Sequence, residues 1–470
     1  MRGRALWALG AAGLLATALL AACGSSGSSG SSSSTITVEY WTNNDIPGTN
    51  ASEKLIAAAT AELKKQHPGV KVVTDPITTD SESEYYAKLD LQESSSSTSP
   101  DVVLEDSFLI GADSEAGYIR PLPQVASWSG WSSFAPAMQK IITYNGKIYG
   151  VMNSTDVQFI YYDANLFKKA GIPVPWQPHS LADIVAAAKK LKAAEPGIIP
   201  AWLYTGLPLG EASSFRGFEV FLNGTGQQLY DSSTGKWETS GSGFTTTWNF
   251  LQSMRPYEEP ESDWSNPNGS NTVNLSLMPA QGVGMVFDGM WVSENYVKGG
   301  SKPWPAFFST YKIAKLPTSD GQGAGYVDQS GGWAWSIPVR AHNPSLALDM
   351  IEDMSSAPNL AQYDALDGAI PPRSGVTTQP VWEHMTADDP YMTLATTLLP
   401  YTTFRPNQAA YTQISNEIAT LTGNVASGSM TATAVLLATS IRAVRARQGC
   451  VADSSAPRPG PGTAPLSESA

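Results

Sequence analysis

The sequence predicts an α/β protein, and three observations carry that prediction. Thr35 to Tyr40 (TITVEY) alternates, with Ile36, Val38 and Tyr40 on one face of a strand. Leu55, Ile56, Ala59 and Leu63 recur at helical spacing until His67-Pro68-Gly69 ends the helix. Val70 to Val73 is a second strand. Strand, helix, strand in this order argues for a sheet layered with helices through right-handed crossovers.

The elements that follow keep the same character. Asp101 to Leu104 (DVVL), a short apolar run after Pro100, reads as a buried parallel strand. Asn145-Gly146 is a hairpin turn signal, and Val157 to Tyr162 is strand-like. The clearest helix begins at Ser180 and Asp183, a capping-box-like start. Its apolar face is Leu181, Ile184, Val185, Ala188 and Leu191, and Glu195-Pro196-Gly197 ends it. Residues 205 to 280, rich in Gly, Ser, Asn and Pro, read as short helices and loops. Gly282 to Phe287, Ser309 to Leu316 and Trp333 to Pro338 are strands. Asn343-Pro344 opens a helix with Leu346, Met350, Ile351 and Met354 inward, since Pro at the first helical position loses no hydrogen bond. Thr431 to about Arg445 is the last helix, and the Pro/Ser/Gly content from Gln448 onward predicts a disordered tail.

The amino terminus predicts export. Arg2 and Arg4 precede an uncharged, small-residue-rich apolar stretch over 5–22, the pattern of a secretory signal. Leu20-Ala21-Ala22-Cys23 resembles the bacterial lipobox, which implies cleavage before Cys23 and a diacylglycerol on its sulfur. The Gly/Ser run to Ser34 has the composition of a flexible tether. No later segment is an unbroken apolar run of about eighteen residues, so no other span is expected. With Cys23 lipidated, Cys450 in the tail has no partner for an intramolecular disulfide. The net charge of −13 argues against nucleic acid and against anionic lipid surfaces. The chain carries 14 Trp and 18 Tyr, enough for flat stacking surfaces such as sugar-ring faces demand.

Five segments resemble the extracellular solute-binding proteins of ATP-driven importers, in particular family 1, which contains maltose-binding protein. They are PDVVLEDSFLIGADSEAGYIRPL (100–122), YNGKIYGVMNSTDVQFIYYDANLFKKAGI (144–172), GVGMVFDGMW (282–291), GGWAWSIPVRAHNPSLALDMIEDM (331–354) and AIPPRSGV (369–376). Their order and spacing are the family's, and the resemblance covers roughly 35–445. Met152 departs from the family's usual Pro, and the tail with Cys450 lies outside the pattern. The resemblance implies a two-lobe periplasmic-binding-protein-like fold with crossing hinge strands. The first lobe would be 35–153 with 310–345, and the second 157–308 with 350–446. It implies a monomeric, lipid-anchored receptor without cofactor or metal. Such a receptor holds a solute, expected to be a carbohydrate, between the lobes for membrane permease subunits.

Sugars present hydroxyl edges and apolar faces, so their sites need carboxylates or amides beside aromatic rings. Trp41, Asn43, Asn44 and Asp45 follow the first strand at its carboxyl end, where ligands of open α/β sheets gather. Glu105 and Asp106 hold the same position after DVVL. Asp156 precedes the expected first lobe crossing. By the resemblance, Trp291 falls where a stacking aromatic stands in many carbohydrate binders. Tyr326 and Trp333 flank Gly331-Gly332, which permits close approach. Arg373 is a candidate donor to a hydroxyl or to a lobe carboxylate. Trp202, Tyr204 and Tyr411 suit the core or the rim better than the site.

Hydrolase and zinc motifs are absent: the four His are scattered, and neither HExxH nor GxSxG occurs. A glycosidase carboxylate pair has no spacing signature, so an exported glycoside hydrolase or lyase stays open, as does a receptor for a non-sugar solute.

Overall fold

The computed structural model describes residues 35–43, 51–79, 81–387 and 389–438. Cys23, the tether, Asn44, Asp45, Cys450 and the tail lie outside them. The first core is built around strand β1 (Thr35–Asn43), helix α1 (Ala51–Gln66), strand β2 (Lys71–Thr79), helix α2 (Glu82–Glu93) and strand β3 (Val103–Asp106). β1 and β2 pair in parallel, Thr35 opposite Lys71. Ile36, Val38 and Tyr40 are fully buried, as the alternation predicts. Leu55, Ile56, Ala59 and Leu63 of α1 form its buried face. The chain entering β3 lies parallel to β1 at Val38 and Val102, where Glu39 N donates to Val102 O at 2.9 Å.

The hairpin of β4 (Thr143–Tyr144) and β5 (Lys147–Ile148) turns on Asn145 and Gly146, with φ of 47° and 72°. Two consecutive positive φ values define a type I′ turn, which matches strand twist and is open to few residues other than Asn and Gly. β6 (Gly150–Met152) follows.

A second sheet holds β7 (Gln158–Asp163), β8 (Ile199–Trp202), β11 (Val283–Gly289) and β12 (Tyr311–Ala314), in the order β12-β7-β11-β8. The small hairpin of β9 (Tyr230–Asp231) and β10 (Lys236–Trp237) lies apart from it. β7 is buried along its whole length, because both faces of its sheet are covered. Ile160 and Tyr162 pack in one apolar cluster, Val157, Phe159 and Tyr161 in another. The helix Leu181–Ala194 covers the first of these clusters and carries the expected capping box between Ser180 and Asp183.

The chain crosses between the cores at 153–157. There Thr155 exchanges backbone hydrogen bonds with Ile370 at 2.9 and 2.8 Å. It returns through β13 (Asp328–Ser330) into β14 (Trp333–Ser336), which lies antiparallel between β3 and β6. β15 (Thr402–Phe404) pairs in parallel with β13 beside the crossing.

Four expectations are corrected. Residues 311–314 add to the second sheet through Tyr311 and Asp163, not to the first lobe. The helix Pro344–Met354 packs its Ala347, Met350, Ile351 and Met354 into the first core against α1, so 350–354 do not belong to the second. Leu346 is only partly buried, and the small Ala347 takes the inward place because the two helices approach closely. β3 is parallel only towards β1; its extended partner, β14, is antiparallel. Helix is present over 432–438, and the remainder of the expected last helix lies outside the described residues.

Candidate ligand-binding cleft

A cleft of about 560 Å³ opens where strand ends and loops of the two cores face each other. Aromatic rings form its first wall. Trp41 near the end of β1 stacks on Trp333 at the start of β14, with ring centroids 5.9 Å apart at 29°. Trp41 is held by donating its indole N–H to Thr79 Oγ1 at 2.8 Å. Tyr86 of α2 tilts against Trp333 and donates its hydroxyl to Asp106 Oδ2 at 3.1 Å. The antiparallel register sets Trp333 opposite Asp106. Strand alternation then turns Leu104 and Asp106 towards the cleft and Glu105 away.

The opposite wall is organised by Asp288, fully buried on β11. Its Oδ1 lies 3.2 Å from Arg216 Nη1, and its Oδ2 accepts from Asn274 Nδ2 at 3.1 Å and from the Tyr204 hydroxyl. Arg216 and Asn274 both stand on π-helical turns, Phe215–Glu219 and Thr272–Leu277. Such turns widen the helix by one residue and often mark functional sites. The Arg216 guanidinium lies 4.8 Å from the Trp291 ring and 4.7 Å from the Tyr204 ring. Burial disfavours its charge, but Asp288 more than compensates and keeps it protonated.

Arg405 closes the centre. It lies 2.8 Å from Asp106 Oδ1 and 2.9 Å from Glu211 Oε1, sandwiched between the Phe108 and Phe215 rings. Gly331 makes the room: a Cβ there would stand 1.8 Å from Arg405 Nη2. Burial pushes the Asp106 carboxyl up to about 7 against the pull of Arg405. Asp156 accepts from the Gly331 N–H at 3.1 Å, and burial raises it while Arg405 opposes. Tyr411 donates to Glu219 Oε2 at 2.9 Å and to Glu211 Oε1 at 3.3 Å, bracing the carboxylate that meets Arg405.

Of the residues singled out in the sequence, Trp41, Asp106, Asp156, Trp291 and Trp333 line this cleft. Asn43 ends β1 opposite Thr79. Three do not reach the cleft. Glu105 is fully buried and turned towards Asp113 by the strand alternation. Tyr326 packs edge-on to Tyr401 at 4.6 Å beneath Lys315, on the loop after β12. Arg373 donates to Ser355 O at 2.6 Å and lies over Trp128 and Phe134, so it ties its loop to the first core. Tyr204 and Tyr411 lie under the floor and brace the two arginines.

Arg216, Arg405, Glu211, Glu82, Tyr86 and Asn274 escaped the sequence reading, although all line the cleft or brace it. One signal was available. Arg216 interrupts the apolar run SFRGFEVF, and a charge in such a run is buried only when paired. Nothing local marks Arg405, whose partners lie about three hundred and two hundred positions away.

Stacking rings beside mixed donors and acceptors suit a polyhydroxylated solute. Among the described residues no group of His, Cys, Asp and Glu is placed to hold a metal ion, and no helix is long and apolar enough to cross a membrane. Comparison with curated proteins gives no match. Among solved structures, the GacH receptor of Streptomyces glaucescens, studied unliganded and with acarbose, is similar at 22% identity. The match covers 89% of this chain and 99% of that one, with a TM-score of 0.68. Maltose-bound MalE3 of T. maritima is similar at 18% identity, covering 87% and 99%, with a TM-score of 0.70. A substrate-binding protein of Listeria monocytogenes in complex with cycloalternan is similar at 16%, covering 88% and 99%, also at 0.70. These likenesses establish the two-lobe fold. Residues 58–394 match the family model described as bacterial extracellular solute-binding protein, most of the chain, and the chain belongs to that family.

Proposed function

We propose that this chain is a sugar receptor, anchored by a lipid on Cys23, that delivers its solute to the permease of an ATP-driven importer. It acts as a monomer and performs no chemistry on the sugar. The first lobe comprises 35–153 with about 333–355, and the second comprises the stretch after Asp156 with the carboxyl-terminal helices. The observation that carries the reading is the set of aromatic surfaces, Trp41 stacked on Trp333 together with Trp291, in a cleft that they line alongside carboxylates, amides and two arginines. The neighbours with acarbose, maltose and cycloalternan support a saccharide as the class.

A thermal-shift screen of the chain from residue 24 against saccharides, polyols and peptides tests it. A ligand at 100 times its Kd stabilises by about 2.7 kcal/mol, a visible rise in Tm. A rise with saccharides, with the sugar recovered intact, is expected. Replacing Trp291 by Ala then weakens affinity by about 1 kcal/mol or more in titration calorimetry. Cleavage of the sugar, or a response to peptides alone, would sink the receptor reading or the sugar reading respectively.

A further inference from the structure

The charges of the cleft are one-sided. Its walls carry two cations, Arg216 and Arg405, and no lysine or histidine among the described residues. Both guanidiniums are already engaged, Arg405 by Asp106 and Glu211, Arg216 by Asp288. Five more acids, Glu53, Glu82, Asp156, Glu294 and Asp367, line the same space. Glu82 and Asp156 still feel the two arginines. At the Glu294 end of the cleft, three residues past the Trp291 whose ring faces Arg216, the charges that Glu294 feels are Asp367 and Asp389.

That end is a built acceptor site. Gly368 brings its parts together: a Cβ there would stand 2.9 Å from Glu294 Oε2 and 3.3 Å from the Trp291 Cα. Glu294 Oε2 is enclosed and has no hydrogen-bond partner among the described residues. Asn295 lines the cleft at 6% exposure; its Nδ2 donates to Val292 O, and its Oδ1 likewise has no partner. Asn274, also 6% exposed, presents a second unpartnered Oδ1. The start of α1 faces this end through Ser52, which bonds Tyr363 of the helix carrying Asp367. A helix N-terminus supplies only about half a positive charge, too little for the Glu53, Glu294 and Asp367 carboxylates together. Burial raises Glu294 well above the carboxylate range, with Asp367 and Asp389 adding to it, and raises Asp367 to about 6 against the hydrogen bond it already takes from Tyr363. Burial favours the neutral form of these acids, and a neutral sugar returns no charge to them. An ammonium returns the charge and fills the free acceptors with charge-assisted hydrogen bonds.

We propose that the solute is a cationic saccharide, an amino sugar whose ammonium lies against Glu294, Asp367 and the Asn295 amide oxygen beside Trp291. The inference rests on the sugar reading and goes beyond it by giving the solute a charge.

Calorimetry with matched pairs tests it: glucose, galactose and mannose, their 2-amino-2-deoxy counterparts, and the di- and trisaccharides of both series, with spermidine as a cation that is not a sugar. An aminated member should bind at least about tenfold more tightly than its hydroxyl twin. Its affinity should fall several-fold when salt rises from about 0.02 to about 0.2 M, as the Debye length shrinks. In E294Q and D367N the ratio of the twins should collapse towards one. The salt series uses the unaltered protein, so it stays decisive even if those variants misfold. Equal or tighter binding of the neutral twin overturns the cationic solute and leaves the sugar reading standing. Binding of spermidine and of no sugar overturns the sugar reading, and binding of nothing in the panel overturns both.

Discussion

Asp288 holds Arg216, Asn274 and Tyr204 at once and is fully buried. A buried ion pair is weak evidence of net stabilisation, because desolvating both charges offsets their attraction. Removing one partner is different, for the other charge is left buried alone. Asp288→Asn should therefore cost about 3–5 kcal/mol, read as a lower urea midpoint at unchanged m. It should also release Arg216 from the Trp291 face and weaken solute binding. A loss below about 1 kcal/mol, the scale of a single neutral hydrogen bond, would show that Arg216 finds another partner. Arg405 follows the same logic with its charge shared between Asp106 and Glu211.

Among the elements, the helix Leu181–Ala194 shows how local chemistry and packing divide the work. Ser180 accepts from Asp183 N, and the Asp183 carboxylate accepts from Ser180 N at 3.1 Å and His179 N at 2.8 Å. Three donors at the helix start are thus met by two side chains, Asp183 N being shared with the Ser180 carbonyl. Ser180→Ala should cost about 1 kcal/mol, seen as a shifted unfolding midpoint with saccharide affinity unaffected, because the helix packs on the far side of β7 from the cleft. The two π turns work oppositely. They leave the regular ladder to place Arg216 and Asn274 around one carboxylate, which an uninterrupted α-helix would rotate out of reach.

Across the whole molecule, buried acids dominate the response to pH. Glu39, Glu93, Glu105 and Asp113 form a cluster of carboxyl groups in the first core, the three glutamates fully buried. Burial pushes Glu39 and Asp113 up to about 8 and raises Glu93 and Glu105 well above the ordinary range. Arg340 eases Glu93, while Asp90 and Asp75 add negative charge around the cluster. The native state thus holds protons that the unfolded chain gives up near its ordinary carboxylate pKa. Stability from these groups is full below about pH 4.5 and is lost as pH climbs towards about 8. Tm should fall across that window, and Glu39→Gln should flatten the fall. A Tm that rises from pH 5 to 8 would contradict the cluster's neutral state.

Sequence alone determined the layers, the hairpin turn, the helix starts and the cleft anchors at strand ends, because each rests on a pattern a few residues long. Alternation located β1, helical spacing located α1, strand-end position brought Trp41 and Asp106 to attention, and the neighbouring Gly331-Gly332 pair brought Trp333. The tertiary structure decided what lies across the cleft. Glu105 and Asp106 are adjacent and alike in sequence, and only the face that packs on the core separates them. Arg405 meets Asp106 and Glu211 from distant parts of the chain, and β12 joins the second sheet because Tyr311 pairs with Asp163. Pairings of that kind are set by the packing of whole layers, and no local stretch of residues encodes them.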